Sequence, residues 1–167
     1  MTTSVETLAK PGWRFLFSKP AHFLAFGFGS GLFREAPGTA GTLAAFPIFW
    51  LLAPLLSNYL FVAALAIAFA IGIWACGVTG KALGESDYGG IVLDEIVSFM
   101  LVLFFTPPGW EWAFLAFVLF RFFDIAKPPP IHYFDSNWQG GLGVMFDDLL
   151  AAGYTLMCLA LVKSALP

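Results

Sequence analysis

Apolar residues form five long runs along the chain, separated by short polar stretches. The runs cover residues 43–56, 59–78, 91–105, 110–123 and 149–162. The second run contains no charged residue and has about the 20 residues that a membrane-spanning helix needs. Ser57-Asn58 and the Thr-Pro-Pro-Gly sequence at 106–109 are typical of tight turns. The pattern predicts an all-α protein, a polytopic membrane bundle of about five hydrophobic helices.

Two further segments complete this picture. Residues 21–33 are apolar but contain several glycines, which favours an interfacial or re-entrant piece over a spanning helix. Residues 1–20 mix aromatic and basic side chains, as expected of an extension that lies at the membrane surface. The whole chain, residues 1–167, is predicted to form a single membrane-embedded domain.

Composition excludes several classes of protein. Hydrophobic residues make up 59% of the chain and charged residues 11%, against about 25% charged in ordinary globular domains. A soluble domain, a disordered chain and a nucleic-acid-binding protein are therefore not expected. Cys76 and Cys158 lie inside apolar runs without metal-ligand spacing, so we predict buried free thiols. His22 and His132 are predicted to have packing roles.

The charges also predict an orientation. If the five helices alternate in direction, the stretches 1–42, 79–90 and 124–148 lie on one side of the membrane. Lys163 is the one basic residue of the eight that falls on the other side. Basic residues accumulate on the cytoplasmic side of membrane proteins, so this side is predicted to be cytoplasmic. Nearly all of the acidic residues lie there too, which a purely structural bundle does not require.

Three stretches on that side place carboxylates where hydrophobic helices meet polar loops: IVLDE at 91–95, FRFFDIAKPPP at 120–130 and GGLGVMFDD at 140–148. An ionised group at membrane depth costs at least ~2.5–3.5 kcal/mol and commonly marks a functional site. The group contains five carboxylates and two bases: Asp94, Glu95, Asp124, Asp147, Asp148, Arg121 and Lys127. A divalent cation would neutralise the excess, and oxygen ligands without His or Cys favour Mg²⁺.

The carboxylates differ in their expected roles. Two neighbouring pairs, Asp94-Glu95 and Asp147-Asp148, are predicted to stand at helix starts, where capping is the alternative role. Asp124 is predicted to end a helix, where the dipole disfavours an anion and where Arg121 or a metal would compensate. Ser98 shares a helix face with Asp94, which makes Asp94 the inward-facing member of its pair. The predicted metal ligands are Asp94, Asp124, Asp147 and Asp148.

A fourth stretch, FREAPGTAGT at 33–42, precedes the first long apolar run. Its glycines, hydroxyls and a helix N-terminus can bind phosphate, and the predicted substrate-binding residues here are Arg34, Gly38, Thr39 and Thr42. The alternative is a simple helix-start turn with Thr42 as the cap. The glycines at 140–143 similarly indicate a flexible loop or a close backbone approach to a ligand.

These features together favour hydrolysis of a phosphorylated lipid at the membrane surface. The cation would hold phosphate oxygens, Arg121 and Lys127 would clamp the phosphate, and one acid would activate water: Asp94, Glu95, Asp147 or Asp148. A cysteinyl-phosphate route and an aspartyl nucleophile are unsupported, because the chain has neither sequence signature. The rival hypothesis is a small ion-coupled transporter that uses the carboxylates as its ion site, but that predicts charges near mid-helix.

The motifs APGTAGT at 36–42, IVLDE at 91–95, FRFFDIAKPPPI at 120–131 and GGLGVMFDD at 140–148 occur in this order. This series resembles the bacterial phosphatidylglycerophosphatase A family, from about residue 29 to residue 154. The resemblance implies a helical enzyme of the bacterial inner membrane. It also implies Mg²⁺-dependent hydrolysis of phosphatidylglycerophosphate to phosphatidylglycerol and phosphate, a step of phospholipid biosynthesis.

Overall fold

The computed structural model describes residues 11–165, and every regular element in this range is a helix. Eight α-helices and one 3-10 segment follow one another along these residues: α1 (Trp13–Leu16), α2 (Pro20–Ala25), the 3-10 segment (Gly27–Leu32), α3 (Pro37–Leu52), α4 (Asn58–Leu83), α5 (Leu93–Phe105), α6 (Trp110–Ala126), α7 (Ile131–Asn137) and α8 (Gly141–Ala165). The all-α prediction is confirmed. Residues 1–10 of the predicted N-terminal extension lie outside the described residues.

The five apolar runs coincide with the five long helices, but those helices differ in length. Helices α4 and α8 have 26 and 25 residues, and both are apolar enough to cross a membrane. Helix α5 has 13 residues, roughly 20 Å at 1.5 Å per residue, against ~30 Å of hydrocarbon in a bilayer. Within residues 11–165, two helices therefore qualify as spans by length and composition, fewer than the five expected.

Helix α4 presents apolar side chains outward. Only 28% of its most apolar window is buried within the protein, so the rest of the described chain leaves most of this helix uncovered. Ile67 and Trp74, for example, are 61% and 53% exposed. An apolar helix with so much uncovered surface suits contact with lipid.

Helix α5 lies at the centre of the molecule. It packs against α3, α4, α6 and α8, and ten of its residues are buried. Phe99 is fully buried and stacks edge-on or tilted against Phe46, Phe117 and Phe120 of the neighbouring helices. This aromatic packing fixes the position of α5, and the first turn of α5 carries Asp94 and Glu95.

The segment 20–32 is kinked at the first residues of the 3-10 segment. Gly27, Phe28 and Gly29 all have positive φ, of 54°, 59° and 107°, so the chain changes direction there. The Val92 N–H donates to the Ala25 carbonyl at 2.8 Å and ties the segment to the start of α5. A kink is compatible with the predicted interfacial or re-entrant piece, whose position in a membrane stays a prediction.

Two helices begin earlier than the apolar pattern predicted. Helix α3 starts at Pro37, so Gly38, Thr39 and Thr42 lie inside it and Ala36 takes the cap position predicted for Thr42. Helix α8 starts at Gly141, so Asp147 and Asp148 lie in its second turn and not at its start. Glycines make the early start possible, since helix backbones can then approach neighbours closely.

Gly141 and Gly143 therefore lie in a helix and not in a flexible loop, whereas Gly140 precedes the helix with a positive φ of 81°. A Cβ on Gly141 would collide with the Ile73 carbonyl of α4, and a Cβ on Gly143 would collide with the Trp138 carbonyl. These contacts hold the start of α8 against α4 and α7. They place Asp147 and Asp148 at the end of the bundle where α5 begins and α6 ends, which we call the polar end.

Candidate functional site

A cavity of about 310 Å³ opens at the polar end of the bundle, and we call it the carboxylate cavity. Eight residues that the sequence singled out line it: Gly38, Asp94, Glu95, Arg121, Asp124, Lys127, Asp147 and Asp148. They come from α3, α5, α6, α8 and the residue that follows α6. The fold thus brings together residues that are up to 110 positions apart in the chain.

Three carboxylates form the centre of the cavity. Glu95 of α5, Asp124 of α6 and Asp148 of α8 each present an oxygen within 4.8 Å of the other two. Glu95 is 8% exposed and Asp148 is 2% exposed. Glu95 Oε2 and Asp148 Oδ2 are buried without a hydrogen-bond partner among residues 11–165. Such orphaned anionic oxygens are costly unless a cation meets them, so this donor set suits a hard divalent ion.

Arg121 neutralises only part of this group. Its Nη1 lies 2.9 Å from Glu95 Oε1 and 2.5 Å from Asp124 Oδ2. The same nitrogen donates a longer hydrogen bond of 3.4 Å to Thr42 Oγ1. Two of the three carboxylates thus share one guanidinium, and Asp148 has no ion pair with any described residue. The predicted pairing of Arg121 with Asp124 is present, and Glu95 joins it.

Asp94 and Asp147 line the cavity but stand outside the group of three. Asp94 is buried, and its Oδ1 has no partner among the described residues. Asp147 Oδ2 accepts a hydrogen bond of 2.6 Å from Lys127 Nζ. The sequence favoured Asp94 over Glu95 as a ligand, but the longer Glu95 side chain reaches across to α6. The position of Ser98 on the same helix face as Asp94 could not indicate the role of Glu95, because Glu95 contacts Arg121 on a different helix.

Lys127 connects the cavity to α7. Its Nζ lies 2.6 Å from Asp147, 2.5 Å from Asp135 and 4.0 Å from Asp87. Burial lowers the pKa of Lys127, but the carboxylates of Asp147 and Asp135 outweigh it and raise that pKa above its usual value. Lys127 therefore stays cationic. The sequence analysis did not identify Asp87 and Asp135 as residues of the site. The acidic residues in the loop before IVLDE could have indicated Asp87.

Helix α3 approaches the cavity through its glycines. A Cβ on Gly38 would collide with Glu95 Oε1 and lie 2.9 Å from Arg121 Nη2. Thr42 is buried and donates to the Gly38 carbonyl at 2.9 Å. Thr39 does not line the carboxylate cavity, and Arg34 lines a neighbouring one. Of the predicted phosphate-binding stretch, then, Gly38 reaches the site and Thr42 supports Arg121.

Replacing Gly38 by Ala is expected to destabilise the protein, although Ala favours a helix. The added methyl group displaces Glu95 and Arg121, and such overpacking costs about 1–3 kcal/mol. The matched control is Gly153→Ala in α8, where a Cβ meets nothing within 4 Å. That change is expected to be neutral or to stabilise by about 0.5–1 kcal/mol. Thermal unfolding of the detergent-solubilised variants tests both, and equal effects would contradict the tight packing at Gly38.

Comparison with known proteins gives a consistent result. The family model described as phosphatidylglycerophosphatase A matches residues 23–163. A phosphatidylglycerophosphatase A of Haemophilus influenzae is 46% identical over 139 residues, which cover 83% of this chain and 85% of the relative. The Escherichia coli K12 protein of the same name is 43% identical over 139 residues, covering 83% and 80%.

A more distant relative carries another name. It is a putative phosphatidylinositol-3-phosphatase of Bacteroides thetaiotaomicron, 40% identical over 145 residues that cover 82% of this chain and 89% of the relative. No solved structure matches the chain. Because the family match and the two more similar relatives cover most of its length, the chain belongs to the phosphatidylglycerophosphatase A family.

Proposed function

We propose that the protein hydrolyses the phosphomonoester of phosphatidylglycerophosphate and releases phosphatidylglycerol and phosphate. The observation that carries this proposal is the high identity to two relatives named for that reaction. The carboxylate cavity supports it, because its acids and bases are the groups that phosphoryl transfer to water uses. A transporter would need ion ligands near mid-helix, whereas Asp94, Glu95 and Asp124 lie in terminal turns.

The site also fits a divalent cation, and Mg²⁺ is our proposal. Glu95, Asp124 and Asp148 would hold it, with Asp94 and Asp147 close by. Carboxylate oxygens without nitrogen or sulfur ligands favour Mg²⁺ over zinc. When bound, such a cation supplies positive charge that stabilises the charge developing on phosphoryl oxygens. It would also satisfy the orphaned oxygens of Glu95 and Asp148.

The protein's own side chains divide the remaining work. Arg121 and Lys127 are the two cations of the cavity, and they are placed to attract and orient the phosphate. Asp94 lines the cavity and makes no ion pair among the described residues, so it is suited to accept a proton from the attacking water. Asp147 is engaged by Lys127 and positions that cation.

We further propose that the protein is a multi-pass protein of the bacterial inner membrane, with the carboxylate cavity on the cytoplasmic side. Helices α4 and α8 are the spans that length and hydropathy support. In the alternation predicted from the sequence, the basic residues other than Lys163 fall on the same side as the carboxylate motifs, which favours a cytoplasmic site. The substrate would then reach the cavity from the inner leaflet with its phosphates at the membrane surface.

Phosphate release from three lipids tests the function. Purified protein would be given phosphatidylglycerophosphate, phosphatidic acid and phosphatidylinositol 3-phosphate, each with Mg²⁺ and with a chelator. We expect release from phosphatidylglycerophosphate at the highest kcat/KM, lost in chelator and restored by Mg²⁺. Preference for phosphatidylinositol 3-phosphate would contradict the proposed substrate. Full release in chelator would contradict the metal, and no release from any lipid would favour the transporter.

A further inference from the structure

A second cavity adjoins the carboxylate cavity at the polar end. It has a volume of about 440 Å³, and its walls include Arg34, Pro37, Glu85 and Gly89. Gly89 also lines the carboxylate cavity, as does Gly38, the residue after Pro37. The two cavities therefore meet at one glycine of the α4–α5 loop and at the first turn of α3.

The second cavity has a cation that pairs with no carboxylate of the described residues. Arg34 is exposed, and its side chain makes no ion pair with any residue in 11–165. Arg121 and Lys127, the cations of the carboxylate cavity, are instead held by carboxylates. Pro37 stands at the first position of α3, so the positive end of a 16-residue helix lies between the cavities. Glu85 opposes this charge within the same wall.

We propose that this second cavity binds the phosphodiester group of the lipid while the phosphomonoester occupies the carboxylate cavity. The inference rests on the proposed function. Phosphatidylglycerophosphate carries two phosphates separated by one glycerol, which matches two adjoining cavities that each have a cation. Phosphatidic acid carries a single phosphate and would leave Arg34 without a partner. Arg34 is thus a specificity-determining residue that selects lipids with a second phosphate.

Arg34→Ala tests the assignment through a comparison of substrates. With phosphatidylglycerophosphate in mixed micelles, kcat/KM should fall by about tenfold, mainly through KM, because a charge-assisted contact is lost. With phosphatidic acid, kcat/KM should stay within about twofold of the wild-type value. If that turnover is slow, the inhibition constant of phosphatidic acid as a competitor gives the same comparison. Arg34→Lys should restore part of the loss.

The matched control is Arg14→Ala, which removes an exposed arginine outside both cavities. It should leave the ratio of the two kcat/KM values unchanged. If Arg34→Ala lowered kcat/KM equally for both lipids, the proposal would be overturned, because Arg34 would then act on the reacting phosphate or on the fold. An unchanged kcat/KM of Arg34→Ala for phosphatidylglycerophosphate would also overturn the proposal. Absence of wild-type turnover of that lipid would instead contradict the proposed function.

Discussion

Asp148→Asn is expected to abolish phosphate release while the protein stays folded. Asp148 belongs to the group of three carboxylates and is the member without an ion pair among the described residues. In metal-assisted phosphoryl transfer a bound cation supplies several kcal/mol of transition-state stabilisation, and each 1.36 kcal/mol is tenfold in rate. The proposed cation would be lost with Asp148. We therefore expect kcat to fall by about a thousandfold or more, measured by phosphate release from phosphatidylglycerophosphate with saturating Mg²⁺.

Asp148→Asn should not lower the stability of the protein, although it removes the activity. In chelator, Asp148→Asn removes a buried carboxylate that no cation balances, so the midpoint of thermal unfolding should stay unchanged or rise. Asp147→Asn is the isosteric neighbour on the same helix, and it should lower that midpoint because it takes a partner from Lys127. Wild type should gain thermal stability on addition of Mg²⁺, and Asp148→Asn should not.

Glu111→Gln is the control for the loss of activity. It neutralises an exposed carboxylate in the first turn of α6, at the other end of that helix from Asp124. Its kcat should match that of wild type. Near-normal turnover by Asp148→Asn would contradict a cation held by the three carboxylates. Loss of turnover together with loss of the folded state would contradict the assignment of Asp148 as an unbalanced charge.

The helices and the site were predictable to different degrees. The apolar runs gave the number and order of the long helices, because a helix that meets lipid or core must be apolar over most of its length. They did not give the starts of α3 and α8. The residues there include several Gly, Thr and Asp, whose low hydropathy hides helices that depend on close contact, as at Gly38 and Gly141.

The position of the site followed from the charges, but its internal geometry did not. Carboxylates next to apolar runs on one side of the predicted bundle indicated a common site, and the carboxylate cavity contains all five. Which acids share a ligand depends on contacts between helices. Glu95 is drawn to Arg121, 26 positions away, and Asp147 is held by Lys127, 20 positions away. Spacing within one helix cannot reveal either contact.

Arg121→Met is expected to be the most destabilising of these substitutions. It removes the guanidinium that pairs with Glu95 at 2.9 Å and with Asp124 at 2.5 Å. Both carboxylates would remain in a largely enclosed site, and breaking such a pair by removing one partner costs about 3–5 kcal/mol. Phosphate release should be lost as well, because the reacting phosphate loses one of its two cations.

Mg²⁺ distinguishes this electrostatic cause from a packing defect. A divalent cation among Glu95, Asp124 and Asp148 would relieve much of the repulsion, so Mg²⁺ should raise the unfolding midpoint of Arg121→Met more than that of wild type. Arg121→Lys keeps the charge and should lose less stability, although it cannot reproduce the forked contact. Arg14→Met, at an exposed arginine without an ion pair in the described chain, should change stability by about 0.5 kcal/mol or less. Equal stability of Arg121→Met and Arg14→Met would contradict the role of Arg121 as the cation that holds α5 and α6 together at the site.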